Sequence, residues 1–196
     1  MSATNASFNS ALTFALQRHR LQHRKGTSVP YITHVVDVAE TLAYYYPTRP
    51  NLTVAGLLHD IVEDTETTLA EVSDRFGSGV AALVEAVTKP SDEEIADLPA
   101  EPVARWHKKR EGALDKLQYG SLDAHRLKAA DVLSNLTMIV RDVQNPQVGH
   151  KVWEPFKVGK AHSMWYYGAL VSIITIRLEG EALALELHNT YERLNP

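Results

Sequence analysis

The residue types able to do chemistry in this chain are histidine and carboxylate. Cysteine is absent, which removes thiolate zinc sites, thiol nucleophiles and disulfides. Among nine histidines, His34 and His59 stand out, together with Asp60 beside His59 and with Asp131. His59 and Asp60 lie within the apolar stretch AGLLHDIVEDT, and Asp131 stands among Leu127, Ala130, Leu133 and Leu136. A charged carboxylate buried beside an imidazole is costly unless something compensates it. A metal ion does so, and two imidazoles with two carboxylates suit manganese, iron or zinc better than copper or calcium. Four protein ligands on an octahedral ion leave positions for water and a substrate oxygen. A lone His-Asp pair is more often a core hydrogen bond, so the neighbouring polar residues decide between the readings. Glu63 follows His59 by four and Asp64 follows Asp60 by four, which puts all four near one end of one helix. Asn135 follows Asp131 at the same spacing.

The elements that must position these groups read as helices almost throughout. Phe8, Ala11, Leu12, Ala15 and Leu16 recur at helical spacing, with Asn5 and Ser7 as candidate caps. A loop over 26–30 leads to a helix from about Tyr31 to Tyr46, which Pro47 and Pro50 should stop. The next helix, Val54 to about Val62, is apolar nearly all round and so should be central. Thr67 or Thr68 should open another, Thr68 and Glu71 having capping-box spacing. Gly77 and Gly79 separate it from Val80–Val87, and the polar, proline-bearing segment 89–101 reads as an exposed loop. Further helices are expected over 102–119, 122–143 (capped by Ser121), 160–177 and 180–194. The β-branched run Val171–Ile176 is the only strand candidate, and its flanks favour helix.

The whole chain sets outer bounds. Its 196 residues suit one domain spanning 1–196, long enough to bury a core without a structural metal. Apolar residues at 44% and charged residues at 22% match an ordinary globular protein and argue against disorder. A net charge of −4 argues against nucleic acid as a partner. No apolar run approaches the ~18 residues of a membrane span, and the N-terminus lacks the basic start and apolar core of a secretion signal. The expected location is cytoplasmic.

The strings HRKGTSVPYITH (His23–His34), LLHDIVEDT (Leu57–Thr65), LAEVSDRFGSGVAALVEAVTK (Leu69–Lys89) and LKAADVLSNL (Leu127–Leu136) together resemble the HD superfamily of metal-dependent phosphohydrolases. More narrowly, the chain is similar to the hydrolase domain of the RelA/SpoT alarmone enzymes and to stand-alone small alarmone hydrolases. The tail WEPFKVGKAHSMWYYGALV is similar to those of stand-alone bacterial members. The resemblance implies an all-α, single HD-domain helical bundle. It implies metal ligation by His34, His59, Asp60 and Asp131, with one Mn²⁺ per chain. Glu63 and Asp64 match the pair that positions and deprotonates the attacking water. Arg24 matches a guanidinium stacked on the purine, Lys25 a phosphate-contacting base, and Asn135 a contact near the 3′ phosphate.

Some positions depart from the family pattern. Val35 replaces a usual proline and Leu21 a usual glycine, while Val132 and Ser134 replace a base and an aromatic. Met138 stands where the long enzymes often carry a hydroxyl. The metal set is intact, so the reaction type is better supported than the substrate. The expected reaction is hydrolysis of the 3′-pyrophosphate of (p)ppGpp, or of the adenine analogue (p)ppApp, with no synthetase activity. Rival readings are another HD phosphatase acting on NADPH or a nucleoside monophosphate, and an antitoxin to a cognate toxic alarmone synthetase. Self-association is left open. Trp153, Trp165, Tyr166 and Tyr167 read as core or dimer packing, and His107, His125, His150, His162 and His188 as packing or surface residues. Lys108, Lys109 and Arg110 read as a solvated helix face that could instead line a phosphate entrance.

Overall fold

The computed structural model describes residues 3–194, with the side chains of 7–194. Among the described residues ten α-helices and one 3-10 helix form, in the order α1 (Ala3–Arg18), α2 (Ile32–Tyr45), α3 (Pro50–Leu58), α4 (Ile61–Asp64), α5 (Leu69–Phe76), α6 (Ser78–Val87), α7 (Pro102–Gln118), α8 (Leu122–Gln144), a 3-10 turn (Gly149–Trp153), α9 (Gly159–Arg177) and α10 (Ala182–Glu192). Among the described residues no β-strand forms; the one strand-like contact is an antiparallel bridge between His23 and Pro30. Val171–Ile176 is helical, as its flanks indicated.

Helix α8 is the axis of the bundle. Its small and aliphatic residues are buried on nearly every side, from Ala124 and Leu127 through Ala129, Ala130 and Val132 to Leu136 and Ile139. Helix α2 buries a stripe, Val35, Val38, Ala39 and Leu42, at the spacing that puts one helical face against a core. It packs on α3 and α8. The α2–α3 contact depends on Gly56. A β-carbon there would stand 3.0 Å from the Ala39 Cα and 2.9 Å from Leu42 Cδ1, so only glycine lets the two backbones approach this closely.

The helix expected over 54–62 is two helices. Pro50, expected to stop a helix, opens α3 at its first position, where the missing N–H costs nothing. The continuity breaks at His59 and Asp60, because Asp60 adopts φ −99° and ψ 0°. His59 and Asp60 therefore sit in the elbow between α3 and α4, not on the same helix as Glu63 and Asp64. Thr68, not Thr67, caps α5, accepting from the Glu71 N–H, while Thr67 pairs with Thr65. Glu71 does not close a capping box and instead holds Arg18 and Arg75. Ser121 caps α8 as expected. Glu101 caps α7, accepting from Val103 and Ala104. Asn5 and Ser7 lie within α1.

Candidate active site

Four buried or nearly buried side chains meet where α2, the α3–α4 elbow and α8 converge. His34 comes from the first turn of α2, His59 and Asp60 from the elbow, and Asp131 from the middle of α8. One ligand atom each from His34, His59 and Asp131 lies within 4.8 Å of the others. Asp60 Oδ2 stands 2.9 Å from His59 Nε2 and 3.6 Å from His34 Nε2. Asp131 Oδ1 stands 3.3 Å from His34 Nε2 and 3.7 Å from His59 Nε2.

The outer nitrogen of each ring is already engaged. His59 Nδ1 is 2.9 Å from the Gly56 carbonyl and must donate to it, and His34 Nδ1 is 3.0 Å from Ser134 Oγ. The inner Nε2 of each ring therefore faces the carboxylates. His59 Nε2 is buried and makes no hydrogen bond, although a carboxylate oxygen is close by. Beside two carboxylates, Nε2 must either carry a proton or face a cation lying between them. Burial alone would lower the His59 pKa, but the Asp60 and Asp131 charges outweigh it and push it up to about 10. Burial opposes ionisation of Asp60 and Asp131. Yet His59 and His34 hold Asp60 well below the carboxylate range, and Lys128 with the two histidines does the same for Asp131. Two imidazole nitrogens and two carboxylates converging on one point fit a divalent metal ion.

Each carboxylate also accepts from neighbouring side chains. Tyr31 donates to Asp60 Oδ2 at 2.5 Å. Lys128 reaches Asp131 Oδ2 at 2.9 Å, and Asn135 donates to Asp131 Oδ1 at 2.8 Å. Arg24 in turn donates to Asn135 Oδ1 at 3.1 Å and contacts Met138 Sδ. Arg24 is buried, not solvated as a bare charge run would be. Glu63 pairs with Lys89, Nζ to Oε1 at 2.5 Å. Asp64 has its pKa raised to about 6, by burial first and then by the Asp60 and Glu63 charges.

These groups open onto a cavity of about 480 Å³, within the range of small-ligand sites. Asp60, Glu63, Asp64 and Asp131 line one end, with Arg24, Lys25 and Asn135 beside them. Every sequence-derived site residue except His34 and His59 reaches the cavity wall, and those two lie buried directly behind it.

Sequence reasoning missed several residues. Tyr31, Lys128 and Ser134 support the ligating groups, and Lys89 holds Glu63. Tyr31 lies inside the PYI string, Lys128 three residues before Asp131 and Ser134 three after it, so all three had a local signal; the pairing of Lys89 with Glu63 acts across the fold and had none. Trp153 is core, as read, but Tyr166 and Tyr167 also line the cavity, with Trp106 and Arg110. Of the three-residue basic run in α7, only Arg110 faces the cavity, and Lys109 pairs with Asp92.

Residues 11–159 match the family of the HD domain. The chain belongs to that family. This HD domain is 35% identical over 159 residues to the Mus musculus guanosine-3′,5′-bis(diphosphate) 3′-pyrophosphohydrolase MESH1, covering 80% of this chain and 83% of that protein. A guanosine-3′,5′-bis(diphosphate) 3′-pyrophosphohydrolase of Aquifex aeolicus is 48% identical over 79 residues, 40% of this chain and 11% of that protein. Among solved structures, a metazoan ortholog of SpoT described as hydrolysing ppGpp superposes with a TM-score of 0.71 at 25% identity, covering 99% of this chain and 97% of that one. The lmo0812 structure from Listeria monocytogenes EGD-e gives a TM-score of 0.68 at 27% identity, over 82% of this chain and 97% of that one. Among the described residues the HD domain here is all-α, as the sequence indicates. No helix of the described residues is long and apolar enough to cross a membrane.

Proposed function

We propose that this chain hydrolyses the 3′-pyrophosphate of a guanosine alarmone, (p)ppGpp, giving GDP or GTP and pyrophosphate. The observation that carries the reading is the content of one cavity. A nitrogen–oxygen cluster suited to a divalent ion forms its floor, and cationic side chains surround that floor. The similarity to enzymes named for this reaction supports it.

In this reading His34, His59, Asp60 and Asp131 hold one manganese ion. When bound, a divalent ion supplies Lewis acidity toward water and toward a phosphoryl oxygen. Tyr31 and Lys128 fix the two carboxylates so that the ligand set is preformed. Glu63 and Asp64 orient the attacking water and accept its proton. The water oxygen bonds to the phosphorus carried by O3′, the P–O3′ bond breaks, pyrophosphate leaves, and O3′ takes a proton from solvent. Arg24 lies over the purine and Lys25 meets a phosphate. Asn135 links Arg24 to Asp131, so base recognition and the floor share one hydrogen-bonded chain. The partner is a small nucleotide and the setting the cytoplasm.

The deciding experiment offers manganese-loaded protein ppGpp, ppApp and NADPH side by side and resolves products by anion exchange. GDP and pyrophosphate from ppGpp is the expected result. Phosphate from NADPH with ppGpp untouched would overturn the reading, and faster ppApp turnover would move the base preference to adenine.

A further inference from the structure

Two of the histidines that sequence alone leaves as packing or surface residues meet across the fold. His107 lies in α7 and His162 in the first turn of α9. His107 Nε2 stands 2.8 Å from His162 Nδ1, with ring centres 4.8 Å apart and ring planes at 77°. Both side chains are half-buried, and neither lines the cavity. Two neutral imidazoles can face each other this closely in two ways. One nitrogen donates its proton to the other, or both turn lone pairs toward a cation. The second way asks the donating ring to carry its proton on its far nitrogen instead. His107 Nδ1 and His162 Nε2 have no hydrogen bond among the described residues and are not sealed from water. The tautomer can therefore change without stranding a buried donor, and no proton is released.

The spacing is that of a chelating pair. An ion ~2.0–2.1 Å from each nitrogen, with its two bonds at right angles, would hold the nitrogens about 2.9 Å apart. Adjacent positions on a square-planar or octahedral ion have this geometry, which copper(II) and nickel(II) favour. The chemistry differs from that of the cavity floor. The floor mixes two nitrogens with two carboxylates, a set that manganese accepts. The helix pair offers nitrogen alone, and affinity at such sites rises from manganese toward copper. Nearby cations are engaged elsewhere: Lys109 pairs with Asp92, and Arg110 lies against the Trp106 and Tyr166 rings. An ion here would also tie two walls together, because α7 brings Trp106 to the cavity and α9 brings Tyr166.

We propose that His107 and His162 form a second metal site, for copper(II), nickel(II) or another late divalent transition ion, that bridges α7 and α9. It stands independently of the reaction proposed above.

The pair carries its own reporters. The Trp106 and Trp165 rings lie 5.1 and 4.7 Å from that of His107, so a bound paramagnetic ion should quench them. Nickel titrations followed by calorimetry and by tryptophan fluorescence compare wild type, His107→Gln, His162→Gln and Asp131→Ala, with thermal melts to check the fold. Wild type should bind nickel in two classes, one of which quenches. Each histidine variant should weaken the quenching class by at least the roughly 10–100-fold that loss of a merely supporting group costs, and leave the other class in place. Asp131→Ala should do the reverse. Quenching at wild-type affinity in both histidine variants, or quenching lost in Asp131→Ala, would assign the ion to the floor and overturn the site. A single class kept in Asp131→Ala and lost in the histidine variants would uphold this site and remove the one at the floor. If the histidine variants do not fold, copper(II) paramagnetic resonance on Asp131→Ala reads the pair intact. Hyperfine coupling to two imidazole nitrogens is the expected result, and oxygen ligands alone would sink the proposal.

Discussion

Helix α8 carries two charged networks little more than one turn apart. Around Arg126, every charge meets its complement through a directed hydrogen bond. Arg126 grips Glu181 with two nitrogens, at 2.6 and 3.1 Å, and gives a third to Asp123 at 2.7 Å. Tyr46 completes Glu181 at 2.6 Å, and Arg49 completes Asp123. Around Asp131, Tyr31, Lys128 and Asn135 hold the carboxylates, but these meet imidazole nitrogens without a hydrogen bond to His59 Nε2. The first network closes on itself and ties α8 to α10. The second converges on one point, which the proposed divalent ion would complete. Buried charge alone therefore does not mark a functional site; a preformed set of donors left pointing at one another does.

The largest effect should come from breaking the open network. Asp131→Ala removes one proposed ligand and the anchor of both Lys128 and Asn135. Metal content after manganese loading, read by mass spectrometry, should fall well below one ion per chain. Turnover should drop by roughly a thousandfold or more, since Lewis-acid stabilisation amounts to several kcal/mol. Full metal and full turnover in this variant would erase the contrast between the two networks.

Glu63→Gln should come next. It keeps shape and hydrogen bonding but removes a base, so kcat should fall about 10²- to 10⁴-fold with metal content unchanged. The Lys89 ion pair on Glu63 sharpens the test. If Asp64→Asn is the more damaging change, Asp64 accepts the proton and Glu63 with Lys89 orients it.

Much of this was legible in the chain. The clustering of His34, His59, Asp60 and Asp131 could be read because charges in apolar strings are conspicuous one residue at a time, and the helices because apolar spacing is local. The elbow at His59-Asp60 was not, since AGLLHDIVEDT is as good a continuous helix by pattern; the break follows from the backbone angles at Asp60. Pro50 misled for a related reason, because proline is a stop within a helix and a start at its first turn. The pairing of Lys89 with Glu63, and the meeting of Arg110 and Lys157 at one cavity, carry no signal in sequence. These residues meet only once the chain is packed.

Arg24 tests whether the hydrogen-bonded chain from the floor extends to the substrate's base. A stacked base contact contributes on the order of 1–3 kcal/mol, so Arg24→Ala should raise KM roughly 5- to 150-fold. Metal content should hold, because Lys128 still secures Asp131. An unchanged KM would make Arg24 a support for Asn135 and nothing more.

The smallest effect belongs to the closed network, and its pH dependence identifies it. Glu181 has its pKa held below the ordinary carboxylate value by the hydrogen bonds from Arg126, with Tyr46 adding to them against the cost of burial. A carboxylate with a depressed folded pKa stabilises the fold while it is ionised in both states. Its contribution is complete above the unfolded value of ~4.3 and is lost as the pH falls through the folded value. Glu181→Gln should therefore lower Tm at neutral pH by a few degrees, since partly exposed pairs contribute about 1 kcal/mol or less and a chain of this size moves about 2–4 °C per kcal/mol. Thermal melts of the two proteins should run parallel from neutral pH down to about pH 5 and converge in stronger acid. Turnover at neutral pH should match wild type, because Glu181 lines no part of the cavity. A Tm gap that persists unchanged below pH 3 would mean that the pair acts through packing and not through charge. A loss of turnover would mean that the two networks on α8 are coupled.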